Sequence, residues 1–130
     1  SRQQRQELMQ LLGLHLLRGA SEKQGYRVVT QAFDDKEPED LKLLAAQLVQ
    51  KPGVIALLGL SGEKARLVFA RAEQGPGAMN ELLKSALQVL GNATGGGSAQ
   101  FAQGGGASAD IERVQQALAR AERLLLAQIH

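Results

Sequence analysis

Residues 51–71 have the sequence KPGVIALLGLSGEKARLVFAR. Val54–Leu60 is an unbroken apolar run that follows a Pro-Gly break, which is typical of a strand covered on both faces. Ser61-Gly62-Glu63 make a short turn into residues 64–71, where apolar and polar residues partly alternate. The stretch therefore predicts a central strand that pairs with the next strand in a hairpin.

Upstream of this hairpin, the pattern predicts a helix, a strand and a second helix. Leucines recur at helical spacing across residues 3–18, in a stripe wide enough to contact more than one partner surface. Tyr26–Phe33 is rich in β-branched and aromatic residues and predicts a strand. Pro38 lies among acidic residues typical of a first helical turn, and Lys51-Pro52-Gly53 stops the helix that begins there.

Downstream of the hairpin, two more helices are predicted. Gly75-Pro76-Gly77 breaks the chain before a helix along residues 79–90. Ser108 is the predicted cap of a last helix, whose apolar seam runs from Ile111 to Leu125. These elements predict an α/β fold, a small sheet with helices packed on it, preceded by an N-terminal amphipathic helix and ending in a helix.

The composition limits the classes of function that remain. The chain has 130 residues, 44% of them hydrophobic, which suffices for one compact domain. The absence of cysteine excludes disulfides, thiol catalysis and cysteine-ligated metals. A formal net charge of +2 is too small for a protein that holds nucleic acid by charge alone. With no apolar run long enough to span a membrane and no signal pattern after Ser1, we expect a piece of a longer cytoplasmic protein.

Residues 91–106 form the most unusual segment, GNATGGGSAQFAQGGG, which carries no charged residue. Strong helical patterns bound it, so we expect a shaped loop rather than a disordered tail. Glycine triplets let a ligand approach the backbone, and successive N–H groups can form a concave anion site, but glycines also serve turns and close packing. Phe101, between the triplets, either anchors the loop to the core or presents its ring to a base or ribose.

The sequence nominates no catalytic centre. The glycines are not followed by Gly-Lys-Ser/Thr and do not open a helix after a first strand, which excludes a nucleotide-hydrolysis loop and a dinucleotide fingerprint. His15 and His130 lack metal-ligand spacing, and no arrangement of Ser, His and Asp indicates a nucleophile. We therefore expect a chain that is not an enzyme by itself.

From about Gly25 onward, the order of motifs resembles a known domain. The motifs are residues 51–59, 67–71, 79–90, 95–97 and 101–106. They are similar to the C-terminal DHH-associated domain of DHH phosphoesterases and alanyl-tRNA synthetases, and look most like the tail of free-standing alanyl-tRNA editing proteins. The resemblance implies a helical tether over residues 1–24 and an α/β DHH-associated domain over residues 25–130, with its glycine-rich motif at residues 94–106.

The function implied by this resemblance is that of an accessory tRNA-binding domain of an alanyl-tRNA editing hydrolase or an alanyl-tRNA synthetase. The implied partners are tRNA(Ala) and the other domains of the parent enzyme. Zinc is expected in the absent editing domain, and no cofactor is expected in this piece. Two alternatives stay open: a dimerisation module that makes a homodimer of the same parent through its helical part, and the substrate-binding domain of a DHH-type phosphoesterase.

The resemblance also implies which residues contact nucleic acid. They are Arg71, Gly95, Gly96, Gly97, Gln103, Gly104, Gly105 and Gly106. Arg71 would pair with a phosphate, with a structural salt bridge as its alternative role, and Gln103 would hydrogen-bond a phosphate or ribose. Family members often carry Lys or Arg just before the first triplet and Arg just after it, where this chain has Thr94 and Ser98.

Overall fold

The computed structural model describes residues 1–130 and contains four helices and six strands. The helices are α1 (Arg2–Arg18), α2 (Pro38–Leu48), α3 (Met79–Leu90) and α4 (Ile111–Gln128). The strands are β1 (Ser21–Lys23), β2 (Tyr26–Phe33), β3 (Val54–Leu60), β4 (Arg66–Arg71), β5 (Thr94–Gly97) and β6 (Phe101–Gly105). All four helices and the strands β2, β3 and β4 are confirmed as predicted. No helix combines the length and the apolar character that a membrane crossing requires.

The six strands form one sheet in the order β1-β2-β3-β4-β6-β5. β3 lies inside the sheet, parallel to β2 and antiparallel to β4, and all seven of its residues are buried. The central strand predicted from its apolar run is therefore confirmed. α2 makes the crossover that the parallel pair requires, whereas a short turn is enough to join β3 to β4.

Helices cover both faces of the sheet and divide the hydrophobic core into two clusters. α3 and α4 pack on one face, and α2 packs on the other with α1 beside it. The approach of α4 is close at Gly59 of β3, where a Cβ would lie 2.5 Å from Cγ1 of Val114. The predicted α/β fold, with its N-terminal and C-terminal helices, is confirmed.

α1 buries only part of its apolar stripe. Met9, Gly13 and Leu17 are buried where the helix packs on α2. Gly13 allows a close contact there, because a Cβ at this position would lie 3.4 Å from Cδ2 of Leu48. Three leucines elsewhere on α1 are each more than half exposed to solvent: Leu8, Leu11 and Leu14. The wide stripe predicted from the sequence therefore exceeds what the core of one chain covers.

The glycine-rich segment contains a β-hairpin, so the predicted loop is wrong. β5 and β6 pair with each other, and β6 also pairs with β4, which extends the sheet by two strands. Glycine, alanine and glutamine have low strand propensity, and the segment contains almost no β-branched residue. Its strand conformation depends on pairing with β4, which the local sequence does not reveal.

Two local predictions also differ from the structure. Asp110 caps α4 in place of Ser108, because its carboxylate accepts the backbone N–H of Arg113 at 2.8 Å. A further strand, β1, pairs antiparallel with β2 at the edge of the sheet. The predicted boundary between residues 24 and 25 lies in the turn of this hairpin, where Gln24 and Gly25 both have positive φ.

Candidate nucleic-acid interface

Backbone hydrogen bonds hold the turn of the glycine-rich hairpin against α3. Met79 and Asn80, in the first turn of the helix, donate their N–H groups to the carbonyls of Ala99 and Ser98 at 3.0 and 3.1 Å. The Ser98 hydroxyl accepts the N–H of Phe101 at 3.2 Å. The hairpin thereby caps the start of α3, and those helix N–H groups are not available to an anion.

Close backbone approach explains the glycines in β6. A Cβ on Gly104 would lie 2.7 Å from the carbonyl oxygen of Thr94 on the neighbouring strand. Gly105 has a φ of +146°, and a Cβ there would meet the carbonyl oxygen of Ala65. Gly96 differs, because a Cβ at this position would meet nothing within 4 Å. Packing therefore requires glycine at positions 104 and 105 but not at position 96.

β5 is an edge strand of the sheet, and all four of its residues are exposed. Ser98 donates its N–H to the carbonyl of Phe101 at 2.8 Å, which makes these residues a hydrogen-bonded pair. Hydrogen-bonded and non-hydrogen-bonded pairs alternate in an antiparallel ladder, so the N–H groups of Gly95 and Gly97 face the open edge. The first triplet thus offers two backbone donors along an extended edge, rather than the concave anion site that successive N–H groups can form.

A groove of about 1010 Å³ lies between β5 and α3. Polar side chains with helical i, i+4 spacing line its α3 side: Asn80, Lys84 and Gln88. Glu81 also lines the groove, so one lysine and one glutamate leave its walls close to neutral. A ligand here would depend more on hydrogen bonds than on charge. We call this region the glycine-edged groove.

Asn80 carries an unused hydrogen-bond acceptor in the glycine-edged groove. Its side-chain Oδ1 is buried and makes no hydrogen bond within the protein. A buried polar atom without a partner costs about 1–3 kcal/mol unless water or a ligand satisfies it. Asn80 thus lies in the wall of the groove, and its Oδ1 can accept from a ligand once the side chain turns outward, alongside the two backbone donors of β5.

Arg71, at the end of β4, uses its side chain to hold the loop that follows it. Its Nε donates to the carbonyl of Gly77 at 2.7 Å, and its Nη1 donates to the carbonyls of Ala72 and Glu73 at 2.8 Å each. None of the three salt bridges in the protein includes Arg71, so the salt bridge that was the alternative role of this residue is not formed. Its backbone N–H donates to the carbonyl of Gln100 at 2.9 Å, which keeps Arg71 beside the hairpin turn.

Gln103 and Phe101 lie on the sheet face opposite to α3. Ala102, between them, is buried in the core under α3, and strand alternation puts its two neighbours on the other face. Phe69 belongs to the α3 side, and alternation along β4 puts Arg71 on that same side. The structure therefore separates Arg71 from Gln103. Phe101 is 37% exposed, so its ring does not anchor the turn to the core. Backbone hydrogen bonds hold the turn instead.

The α3 side chains of the groove are absent from the sequence prediction. Apolar spacing in residues 79–90 identifies the buried face of α3 and, by subtraction, a polar face that includes Asn80 and Lys84. Which part of that polar face borders a ligand-sized groove depends on where the hairpin lies. The sequence carries no signal for that position, because β5 and β6 are not recognisable as strands.

The fold is that of a known class of domain. The chain is similar to the C-Ala domain of alanyl-tRNA synthetase from Aquifex aeolicus, with a TM-score of 0.68 and 24% identity, over 82% of this chain and 97% of that domain. It is also similar to RecJ from Thermus thermophilus, with a TM-score of 0.67 and 18% identity, over 95% of this chain and 18% of RecJ. At these identities the likeness defines the fold alone, and the fold is of the C-Ala type.

Sequence comparison identifies particular relatives. The chain is 32% identical over 106 residues to the alanine–tRNA ligase of Methanospirillum hungatei, and 30% identical over 125 residues to that of Methanosarcina mazei. The chain spans only 11% and 13% of the length of these ligases. No family model matches the chain. The predicted resemblance to the C-terminal domain of alanyl-tRNA synthetases is confirmed, and the relatives support a synthetase as the parent.

Proposed function

We propose that this chain is an accessory tRNA-binding domain of an alanyl-tRNA synthetase and contacts RNA through the glycine-edged groove. The observation that most supports this proposal is the exposed edge of β5, where the N–H groups of Gly95 and Gly97 face outward. The partners are tRNA(Ala) and the other domains of the parent enzyme, in the cytoplasm. That the chain itself is no enzyme, and that zinc belongs to an absent domain, stay predictions.

The chemistry of the groove matches a ribose-phosphate backbone. Backbone N–H groups are common phosphate donors, and the lack of side chains at Gly95, Gly96 and Gly97 lets the backbone of the RNA come close. Lys84 supplies one positive charge for a phosphate. The free Oδ1 of Asn80 accepts a hydrogen bond, which a ribose 2′-hydroxyl can donate and a deoxyribose cannot. The groove should therefore prefer RNA to DNA.

The first test compares tRNA(Ala) with a DNA strand of the same sequence at two salt concentrations. We expect tighter binding to the RNA, together with the salt sensitivity of a phosphate contact. Equal affinity for the two polymers, or no binding to either, would contradict the proposal.

Two variants test whether the RNA binds in the glycine-edged groove. Asn80→Leu should weaken RNA binding about fivefold and leave DNA binding unchanged, because it removes one acceptor. Lys84→Gln should lower the salt slope by about 0.7–0.9, as expected for one lost phosphate contact. Lys64→Gln is the matched control, since Lys64 lies in the turn before β4 and outside the groove lining.

The exposed side of α1 favours a second function, self-association of the parent. If two α1 helices pack antiparallel about Leu11, Leu8 of one copy meets Leu14 of the other. The same pairing brings Glu7 near His15, so a carboxylate faces an imidazole at each end of the contact. Such a contact covers apolar side chains that are 51–65% exposed in the single chain.

A further inference from the structure

The second face of the glycine-rich hairpin is separate from the glycine-edged groove. On this face α2 packs over β3 and β4, whereas Phe101 of the adjacent β6 stays 37% exposed. Gln103 lies two residues farther along β6 on the same face, and it pairs in register with Val68 of the α2-side core. Gly96 is its partner on β5 and leaves open space above the strand. The face thus has an exposed aromatic ring beside bare backbone.

Two buried polar atoms on this face have no hydrogen-bond partner. They are Oε1 of Gln103, an acceptor, and Nε of Arg66, a donor. Arg66 pairs in register with Gly105, so it is a diagonal neighbour of Gln103 on the adjacent strand. Neither atom reaches the surface as the side chains stand, so a ligand that supplies a donor and an acceptor meets them only after both side chains turn outward.

We propose that Phe101, Gln103 and Arg66 form a subsite for an unpaired nucleobase. The ring of Phe101 stacks on the base, Oε1 of Gln103 accepts from a base N–H, and Nε of Arg66 donates to a neighbouring base acceptor. The inference rests on the proposed function and specifies a second RNA contact on the reverse side of the same hairpin.

A base fits this subsite better than a phosphate does. A phosphate offers only acceptors, so it could bind Arg66 but would face the lone pairs of Gln103 Oε1. The Watson–Crick edge of a base presents a donor and an acceptor next to each other. The exposed ring of Phe101 adds a stacking surface that a phosphate cannot use.

The backbone of the turn that precedes Phe101 is held in place before any ligand binds. The Ser98 hydroxyl accepts the N–H groups of Gln100 and Phe101 at 3.2 Å each, and the start of α3 bonds the carbonyls of the same turn. An aromatic side chain has few rotatable bonds, so on a rigid backbone it loses little conformational freedom on binding. The exposure of Phe101 is therefore compatible with a preformed stacking platform.

The test is a nuclear magnetic resonance titration of the full chain with AMP, GMP, CMP and UMP, with ribose 5-phosphate as the abasic control. We expect saturable shifts of the Phe101 ring and Gln103 amide signals with at least one nucleotide, and none with the control. Phe101→Ala should weaken this binding about tenfold, and Phe101→Tyr should retain it. Gln103→Leu should weaken it about fivefold.

The outcomes separate this inference from the proposed function. If tRNA binds the wild-type chain but nucleotides act no differently from ribose 5-phosphate, the nucleobase subsite is wrong and the groove proposal stands. Unchanged nucleotide affinity in Phe101→Ala would also overturn the subsite. If tRNA does not bind while nucleotides shift the Phe101 ring and Phe101→Ala abolishes the shift, the subsite stands and the proposed function fails.

Discussion

Arg71 donates a hydrogen bond through its Nε to the carbonyl oxygen of Gly77 at 2.7 Å. Two more bonds from Nη1 reach the carbonyls of Ala72 and Glu73, so one guanidinium organises the loop between β4 and α3. Arginine is suited to this role because its donors lie in a planar, rigid fork. The side chain that the sequence assigns to phosphate therefore already has a structural task.

Arg71→Ala should destabilise the fold by about 2 kcal/mol, since three carbonyls lose a charged donor at a half-buried site. Urea unfolding followed by circular dichroism measures the change. Arg71→Lys should recover only part of the loss, because an ammonium cannot reproduce the fork. An Arg71→Ala chain as stable as wild type would show that these hydrogen bonds contribute little.

The effect of a glycine-to-alanine substitution on stability should differ strongly between Gly105 and Gly96. Gly105→Ala should cost about 3 kcal/mol or more, because it combines a positive φ with a clash against the Ala65 carbonyl. Gly96→Ala should change stability by less than about 1 kcal/mol, since its Cβ meets open space. Thermal unfolding of both variants checks this, and similar losses at the two positions would contradict the geometry.

Thr94→Lys should strengthen tRNA binding and steepen its salt dependence by about 0.7–0.9 in log–log slope, the effect of one added phosphate contact. Thr94 is exposed on β5 at the border of the glycine-edged groove. Its side chain lies on the same sheet face as Gly96 and Gln103, and a lysine there is long enough to reach around the open edge to a bound backbone. Thr94→Gln adds length without charge and is the control. An affinity gain with no change in slope would argue against a phosphate contact at this position.

Asp110→Ala should destabilise the protein by about 1 kcal/mol, because the N–H of Arg113 loses its 2.8 Å acceptor at the start of α4. Ser108→Ala should have little effect, since the Ser108 side chain makes no hydrogen bond within the protein. Equilibrium unfolding in urea distinguishes the two variants. A larger loss of stability from Ser108→Ala than from Asp110→Ala would show that Ser108 is the cap, as predicted from the sequence.

Leu11→Lys should abolish self-association, because the antiparallel pairing about Leu11 would bring two like charges together. Sedimentation velocity over a range of concentrations measures the oligomeric state. Gln115→Lys makes the same charge change on the exposed face of α4 and should leave association intact. A wild-type chain that stays monomeric at high concentration would rule out this function for the isolated chain.

The sequence predicts those elements whose own residues carry a pattern. The apolar run of β3, the spacing of α3 and the Pro-Gly breaks are local signals, and each corresponds to an observed element. β5 and β6 carry no such signal, because glycine and alanine favour no strand by themselves. Their conformation comes from the pairing of β6 with β4, a contact between residues far apart in the chain, and from the pairing of β5 with β6.

The candidate site shows the same division. Gly95, Gly97 and Gln103 are recognisable from the motif, but strand register decides where their groups point. The Gln103 side chain lies on one face of the sheet, and the N–H groups of Gly95 and Gly97 face the open edge. Asn80 enters the site only because the hairpin turn packs on the start of α3. Arg66 and Gln103 are diagonal neighbours only through the pairing of β4 with β6.

By itself, the sequence determined the order of the helices, the central strand and the family resemblance, because hydrophobic spacing and motif order are properties of neighbouring residues. Only the tertiary structure decided that the glycine-rich segment forms the edge of the sheet, that Arg71 holds its own loop, and which polar atoms lack partners. These features depend on strand register and on packing between distant segments. The Arg71 side chain, for example, acquires its role from the carbonyls that the fold places beside its guanidinium.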